Sequence, residues 1–293
     1  MAAKQTVQVA HLATQVGYAI SNDKLDQSKP TWVLINSLCT SVEFYRPLLD
    51  NKALTDVVNL VAIEPLGHGA TTCATGHFTY WDTALTALQA LEALGVKKAY
   101  ALGTSQGGWI IVRMALLAPE KILGLIPLGT SMDAETSETV AKGCWDPASF
   151  LKPILEAWSS PNPDFVVDDD WIQSVMGLGF GSAATSEVLQ FWTEALRRIY
   201  TEDDGRQKLR RAVVCLASRD GLLLRIDDIK CPVHWLHGSA DVVYTPALAE
   251  EHSKLFTGSS DVQFNVLAGG AHFLFATNPK EVEEAILAMT SKA

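Results

Sequence analysis

Three side chains remote from one another in the sequence, Ser105, Asp241 and His272, could together cleave an acyl bond. A serine hydroxyl is a weak nucleophile at neutral pH. It needs an imidazole to take its proton, and the imidazole needs a carboxylate to orient it. Ser105 stands in the run Leu102-Gly103-Thr104-Ser105-Gln106-Gly107-Gly108, the G-x-S-x-G pattern of a nucleophile elbow. Such a strand-to-helix turn crowds the residues two before and two after the serine, and both are glycine. Residues 98–102 read as a short buried strand. Residues 109–118 read as an apolar helix that Pro119 stops. Asp241 lies in Gly238-Ser239-Ala240-Asp241, after a predicted strand at 232–237. His272 lies in Gly269-Gly270-Ala271-His272-Phe273, after a predicted strand at 262–267. Serine, acid, histidine is the chain order that the elbow architecture requires. Asp133, at the tip of the strand predicted at 122–128, is a second candidate for the acid. Asp241 would then be a turn former, and a packed loop residue is the structural alternative for His272.

The elements that must position these residues follow from hydrophobic patterning. Residues 5–22 alternate as a β-hairpin would. Short apolar runs at 31–36, 57–63, 98–102, 122–128 and 232–237 read as buried strands, and 262–267 as a further strand. Helices are predicted at 43–54, 78–94, 109–118, 208–217, 246–256 and 279–288. Strands alternating with helices imply parallel pairing through right-handed crossovers. The rhythm breaks after Asp133. From 134 to about 205 the chain is helical and irregular, carrying Trp145, Trp158, Trp171 and Trp192. This predicts one α/β core formed by residues 1–133 and 208–293, with a helical cap at 134–207 inserted after the sixth strand.

Composition excludes several function classes. The 293 residues are 48% hydrophobic and 19% charged, which is material for a large core and not a disordered chain. A formal charge of −10 disfavours nucleic acid and anionic membrane surfaces as partners. No signal peptide or bilayer-length apolar stretch is expected. Five scattered cysteines (Cys39, Cys73, Cys144, Cys215 and Cys231) fit free thiols in a reducing, cytoplasmic setting. No cofactor is expected, because neither a dinucleotide fingerprint nor a P-loop is present. No metal site is expected either. His234 and His237, three apart on a strand, face opposite sides, and His68 belongs to a turn.

With the elbow, Asp241, His272, the Gly67-His68-Gly69 loop and the approach Asp227-Asp228-Ile229-Lys230-Cys231-Pro232-Val233 in view, the chain resembles the alpha/beta-hydrolase superfamily over nearly its whole length. The resemblance implies Ser105 as nucleophile, His272 as general base and then acid, and Asp241 as orienting carboxylate. It implies an oxyanion hole made by the backbone N–H groups of Gln106 and Leu38. Most relatives carry His-Gly at the third-strand tip, where this chain has Asn36-Ser37; Asn36-Ser37-Leu38 is similar to enol-lactonases of aromatic degradation. The expected activity is therefore hydrolysis of a mostly apolar carboxylic ester or lactone. Carbon–carbon bond hydrolysis by the same triad, or a ligand-binding, receptor-like role with negligible turnover, are the alternatives. A serine at the elbow argues against epoxide hydrolase and haloalkane dehalogenase activities, which place aspartate there.

Overall fold

The computed structural model describes residues 2–292. Strands β1 (Lys4–Gln8), β2 (Gln15–Ile20), β3 (Thr31–Ile35), β4 (Asn59–Ile63), β5 (Ala99–Thr104), β6 (Ile122–Leu128), β7 (Val233–Gly238) and β8 (Val262–Leu267) form one sheet. Their spatial order is β1-β2-β4-β3-β5-β6-β7-β8. The first two strands pair antiparallel to each other, and β2 pairs antiparallel to β4. All pairings from β4 to β8 are parallel. Between β3 and β4 lie two single-turn helices, α1 (Arg46–Leu49) and α2 (Lys52–Thr55). Helices α3 (Tyr80–Ala93) and α4 (Gln106–Leu117) flank β5. Five helices separate β6 from β7: α5 (Ser137–Ala141), α6 (Pro147–Ala157), α7 (Asp169–Phe180), α8 (Ser186–Ile199) and α9 (Glu202–Ala217). The chain closes with α10 (Pro246–Ser253), α11 (Leu274–Thr277) and α12 (Pro279–Thr290). This is an alpha/beta hydrolase fold.

The central strands are apolar throughout because both faces are covered. Trp32, Val33, Leu34 and Ile35 of β3 are fully excluded from solvent, as are Ala101 and Leu102 of β5. The register sets Leu34 beside Ala62 on one side and Leu102 on the other. For α3, Thr79 and Asp82 form a reciprocal capping box, and Gly95, with φ +77°, lies just past its end.

Two predicted helices differ in extent. The helix expected over 43–54 is a 3-10 turn (Val42–Tyr45) followed by α1 and α2. Pro47 starts one turn, and the Asn51 side chain, accepting from the Ala53 amide, starts the next. The helix expected at 208–217 begins at Glu202, so α9 runs unbroken through position 207.

One buried tie fixes the strand tips beneath the site. The Tyr45 hydroxyl donates to the Ile35 carbonyl (3.0 Å) and accepts from the Thr104 hydroxyl (2.9 Å), joining the ends of β3 and β5. Tyr45 is wholly buried, and burial pushes its phenol well above its ordinary value, so it stays neutral. Tyr45→Phe leaves two buried groups short of a partner and should lower stability by about 1–3 kcal/mol. Urea unfolding with an unchanged denaturant slope checks this, and a midpoint equal to wild type would contradict it.

Candidate active site

The elbow is built by close packing. Ser105 lies between β5 and α4 with φ 54° and ψ −118°, a left-handed conformation unusual for a residue with a Cβ. Its amide donates to Leu128 O (2.9 Å), and its carbonyl accepts from the Gly108 amide and the Thr130 hydroxyl, both at 2.9 Å. A Cβ on Gly103 would overlap the Gly107 carbonyl. A Cβ on Gly107 would overlap the Ile35 carbonyl at the tip of β3. The two glycines let the first turn of α4 lie against β3.

Asp241 and His272 are brought together from the tips of β7 and β8. His272 Nδ1 is 3.0 Å from Asp241 Oδ2 and 3.2 Å from Oδ1. This geometry assigns the proton to Nδ1, leaving Nε2 as an acceptor. The Asp241 carboxylate is further held by the amides of Val243 (2.8 Å) and Tyr244 (3.0 Å). Burial works to raise the Asp241 carboxyl, but His272 and the surrounding donors outweigh it. The group stays below its ordinary value and is ionised. His237, also buried, is held neutral by desolvation, with Nε2 donating to Tyr244 O at 2.9 Å. A Cβ on Gly129 would overlap the His272 carbonyl, so the β6 tip also needs a glycine to admit this loop.

Ser105 and His272 line one cavity with Ser37, Leu38, Trp145 and Tyr244. Among the described residues no hydrogen bond joins the Ser105 hydroxyl to His272, although unliganded sites of this kind often tighten only with substrate. Neither the Leu38 nor the Gln106 amide donates a hydrogen bond among the described residues, and Leu38 lines the cavity. Gln106 is the first residue of α4, where backbone N–H groups are free by construction.

A buried polar network holds both amides in place. Asn36 Nδ2 donates to Ser37 O (3.1 Å), Thr40 O (3.0 Å) and Thr40 Oγ1 (3.0 Å), bracing the loop that carries Leu38. The Gln106 side chain accepts from the Tyr80 hydroxyl (3.1 Å) and donates to Asn36 O (3.3 Å) and His68 Nε2 (3.1 Å). His68 Nδ1 in turn donates to Leu66 O at 3.0 Å, which fixes the tautomer. Sequence reasoning assigned His68 to a turn and missed this contact. The Gly67-His68-Gly69 motif was a usable signal, but not its partner 38 residues away.

The alternative acid, Asp133, makes no contact with His272 among the described residues. Its carboxylate lies against Gly221. His234 meets Asp261 at 3.3 Å, far in function from His237. Among the described residues no cluster of three or more histidine, cysteine or acidic side chains could hold a metal, all five cysteines are unpaired, and no helix is long and apolar enough to cross a membrane. Burial pushes the Cys39 thiol, beside the Leu38 amide, up to about 12, which leaves it protonated and unreactive.

Two outcomes are expected. Gly107→Ala forces α4 away from β3 and should lower the unfolding midpoint sharply, by about 2 kcal/mol or more in stability; a variant as stable as wild type would refute the close approach. Burial depresses His68 to about 4 from 6.5. The unfolded chain takes a proton in that window and the folded one does not, so stability falls as pH drops from about 6.5 towards 4. Urea midpoints between pH 7 and 4 should decline less steeply in His68→Gln than in wild type.

Comparison with known proteins agrees with this architecture. A family model described as alpha/beta hydrolase fold matches residues 30–158. A curated 2-heptyl-3-hydroxy-4-quinolone dioxygenase from Rhodococcus erythropolis is 26% identical over 148 residues, which are 50% of this chain and 51% of that protein. The chain thus spans about half the length of that curated relative. The crystal structure of a hydrolase from Pseudomonas aeruginosa superposes with a TM-score of 0.76 at 21% identity, covering 98% of this chain and 97% of that one. The enol-lactonase from Burkholderia xenovorans gives a TM-score of 0.76 at 17% identity, covering 97% of this chain and all of the other (100%). Together with the sheet order and the elbow, these matches show that the chain has the alpha/beta hydrolase fold.

Proposed function

We propose that this protein is a serine hydrolase that cleaves a carboxylic ester or lactone through an acyl-enzyme. The observation that carries the reading is His272, paired with Asp241, lining the same cavity as a conformationally strained serine. In this reaction His272 Nε2 takes the Ser105 proton as Oγ bonds to the substrate carbonyl carbon. The Leu38 and Gln106 amides stabilise the oxyanion, each donor lowering the barrier by roughly 3 kcal/mol. Collapse breaks the carbonyl–oxygen bond, and the alkoxide leaves with the proton from His272. Water, deprotonated by His272, then releases the acid and restores Ser105. The helices at 134–207 serve as a cap that supplies apolar walls, and the free cysteines suit a cytoplasmic setting.

A second reading rests on one observation, that the His272–Asp241 pair is complete without the serine. Such a pair can abstract a proton from an acidic hydroxyl, as on the 3-hydroxy-4-quinolone named for the Rhodococcus relative, with dioxygen as co-reactant.

Ser105→Ala separates the two. For the hydrolase, the variant should lose at least roughly 10³-fold in kcat on a panel of phenyl esters and lactones. Retained turnover within a few-fold would overturn the mechanism. Oxygen uptake by Ser105→Ala with a 3-hydroxy-4-quinolone would support the second reading.

A further inference from the structure

Glu135 stands immediately beyond the site, and nothing in the proposed reaction uses it. Its side chain is 4% exposed, and a single oxygen, Oε1, accepts three hydrogen bonds. The Trp145 indole donates to it at 2.9 Å and the Tyr244 hydroxyl at 3.0 Å. The Arg219 guanidinium, 1% exposed, completes the set as an ion pair. Arg219 also lies over the Trp109 ring, 3.2 Å from its centroid, four residues into the chain after Ser105.

Two of these three donors are cavity walls. The Trp145 and Tyr244 rings face Ser105 and His272 across the same space. Each is tied to the catalytic loop as well. The Tyr244 amide donates to Asp241, its ring centroid is 5.7 Å from that of His272, and the Trp145 amide donates to Val243 O at 2.9 Å. Tyr244 therefore contacts one carboxylate through its backbone and another through its hydroxyl. Burying an ion pair gains little stability over well-packed apolar residues, because desolvation offsets the attraction. What this pair supplies is direction: a planar carboxylate with one oxygen fixes two ring planes at once.

We propose that Glu135 is a positioning residue that sets acyl-group selectivity, by clamping Trp145 and Tyr244 as the wall that limits how large an acyl group fits beside Ser105. The proposal rests on the hydrolase reading for its kinetic form, but its core concerns the size of a bound ligand and can be measured without turnover.

The test uses phenyl acetate, phenyl butyrate and phenyl octanoate. Glu135→Ala removes the acceptor. The ratio of kcat/KM for octanoate over acetate should rise about tenfold or more, chiefly through KM. Glu135→Gln keeps an acceptor oxygen but loses the charge. It should hold the ratio within about threefold of wild type while unfolding at lower urea, separating ring placement from stability. Tyr244→Phe keeps the ring and deletes its donor to Glu135, and should shift the ratio in the same direction as Glu135→Ala; it decides the matter if Glu135→Ala does not fold. A folded Glu135→Ala or Tyr244→Phe variant with the wild-type ratio would overturn the proposal. So would an equal shift in Tyr45→Phe, which destabilises the protein away from this wall. Calorimetric binding of the same three esters in the Ser105→Ala background reads the wall directly. A Glu135→Ala change there should improve octanoate binding relative to acetate, and an unchanged relative affinity would overturn the clamp even where Ser105→Ala has already refuted the hydrolase.

Discussion

The contact between the first turn of α4 and the tip of β3 is the constraint on which the site depends. Gly107 packs its backbone against the Ile35 carbonyl, with no room for a Cβ between them. That approach places the free amide of Gln106 within reach of the loop carrying Leu38, and it forces Ser105 into a left-handed turn with its hydroxyl towards the cavity. The strain at one residue persists because the surrounding sheet over-determines it. The Leu128 carbonyl, the Thr130 hydroxyl and the Gly108 amide all hold the Ser105 backbone from different elements.

Around this contact the protein buries polar groups in connected sets. The Asn36–Gln106–His68–Tyr80 network lies under the two amides, and the Asp241–His272–His237 group occupies the tips of β7 and β8. Glu135, Arg219, Trp145 and Tyr244 close the far wall. A buried polar group costs free energy unless it is partnered, so each set has few alternative arrangements. The cavity walls are otherwise largely apolar and aromatic, which makes electrostatics inside it strong.

Much of the fold was legible because parallel strands covered on both faces leave unmixed apolar runs. The strands at 122–128 and 262–267 were read to the residue. The elbow was legible because its chemistry needs glycine at two fixed positions. The pairing of Asp241 with His272 could be expected from chain order and strand tips. What sequence could not show is contact at long range between ordinary residues. Tyr45 reaches Thr104, 59 positions away, and Glu135 meets Tyr244 at a separation of 109. Neither pair has a local pattern, since nothing about a lone tyrosine or glutamate announces its partner. The broken helix after residue 42 was hidden for a different reason: one proline and one asparagine cap outweighed an otherwise helical composition.

The most direct measurement of the central claim is covalent labelling by a fluorophosphonate, located by peptide mass spectrometry. A serine activated by a neighbouring imidazole should carry the phosphonyl adduct at Ser105 in the wild-type protein, and His272→Ala should lose it while remaining folded. An unlabelled wild-type Ser105, or labelling that persists undiminished without the imidazole, would contradict the account.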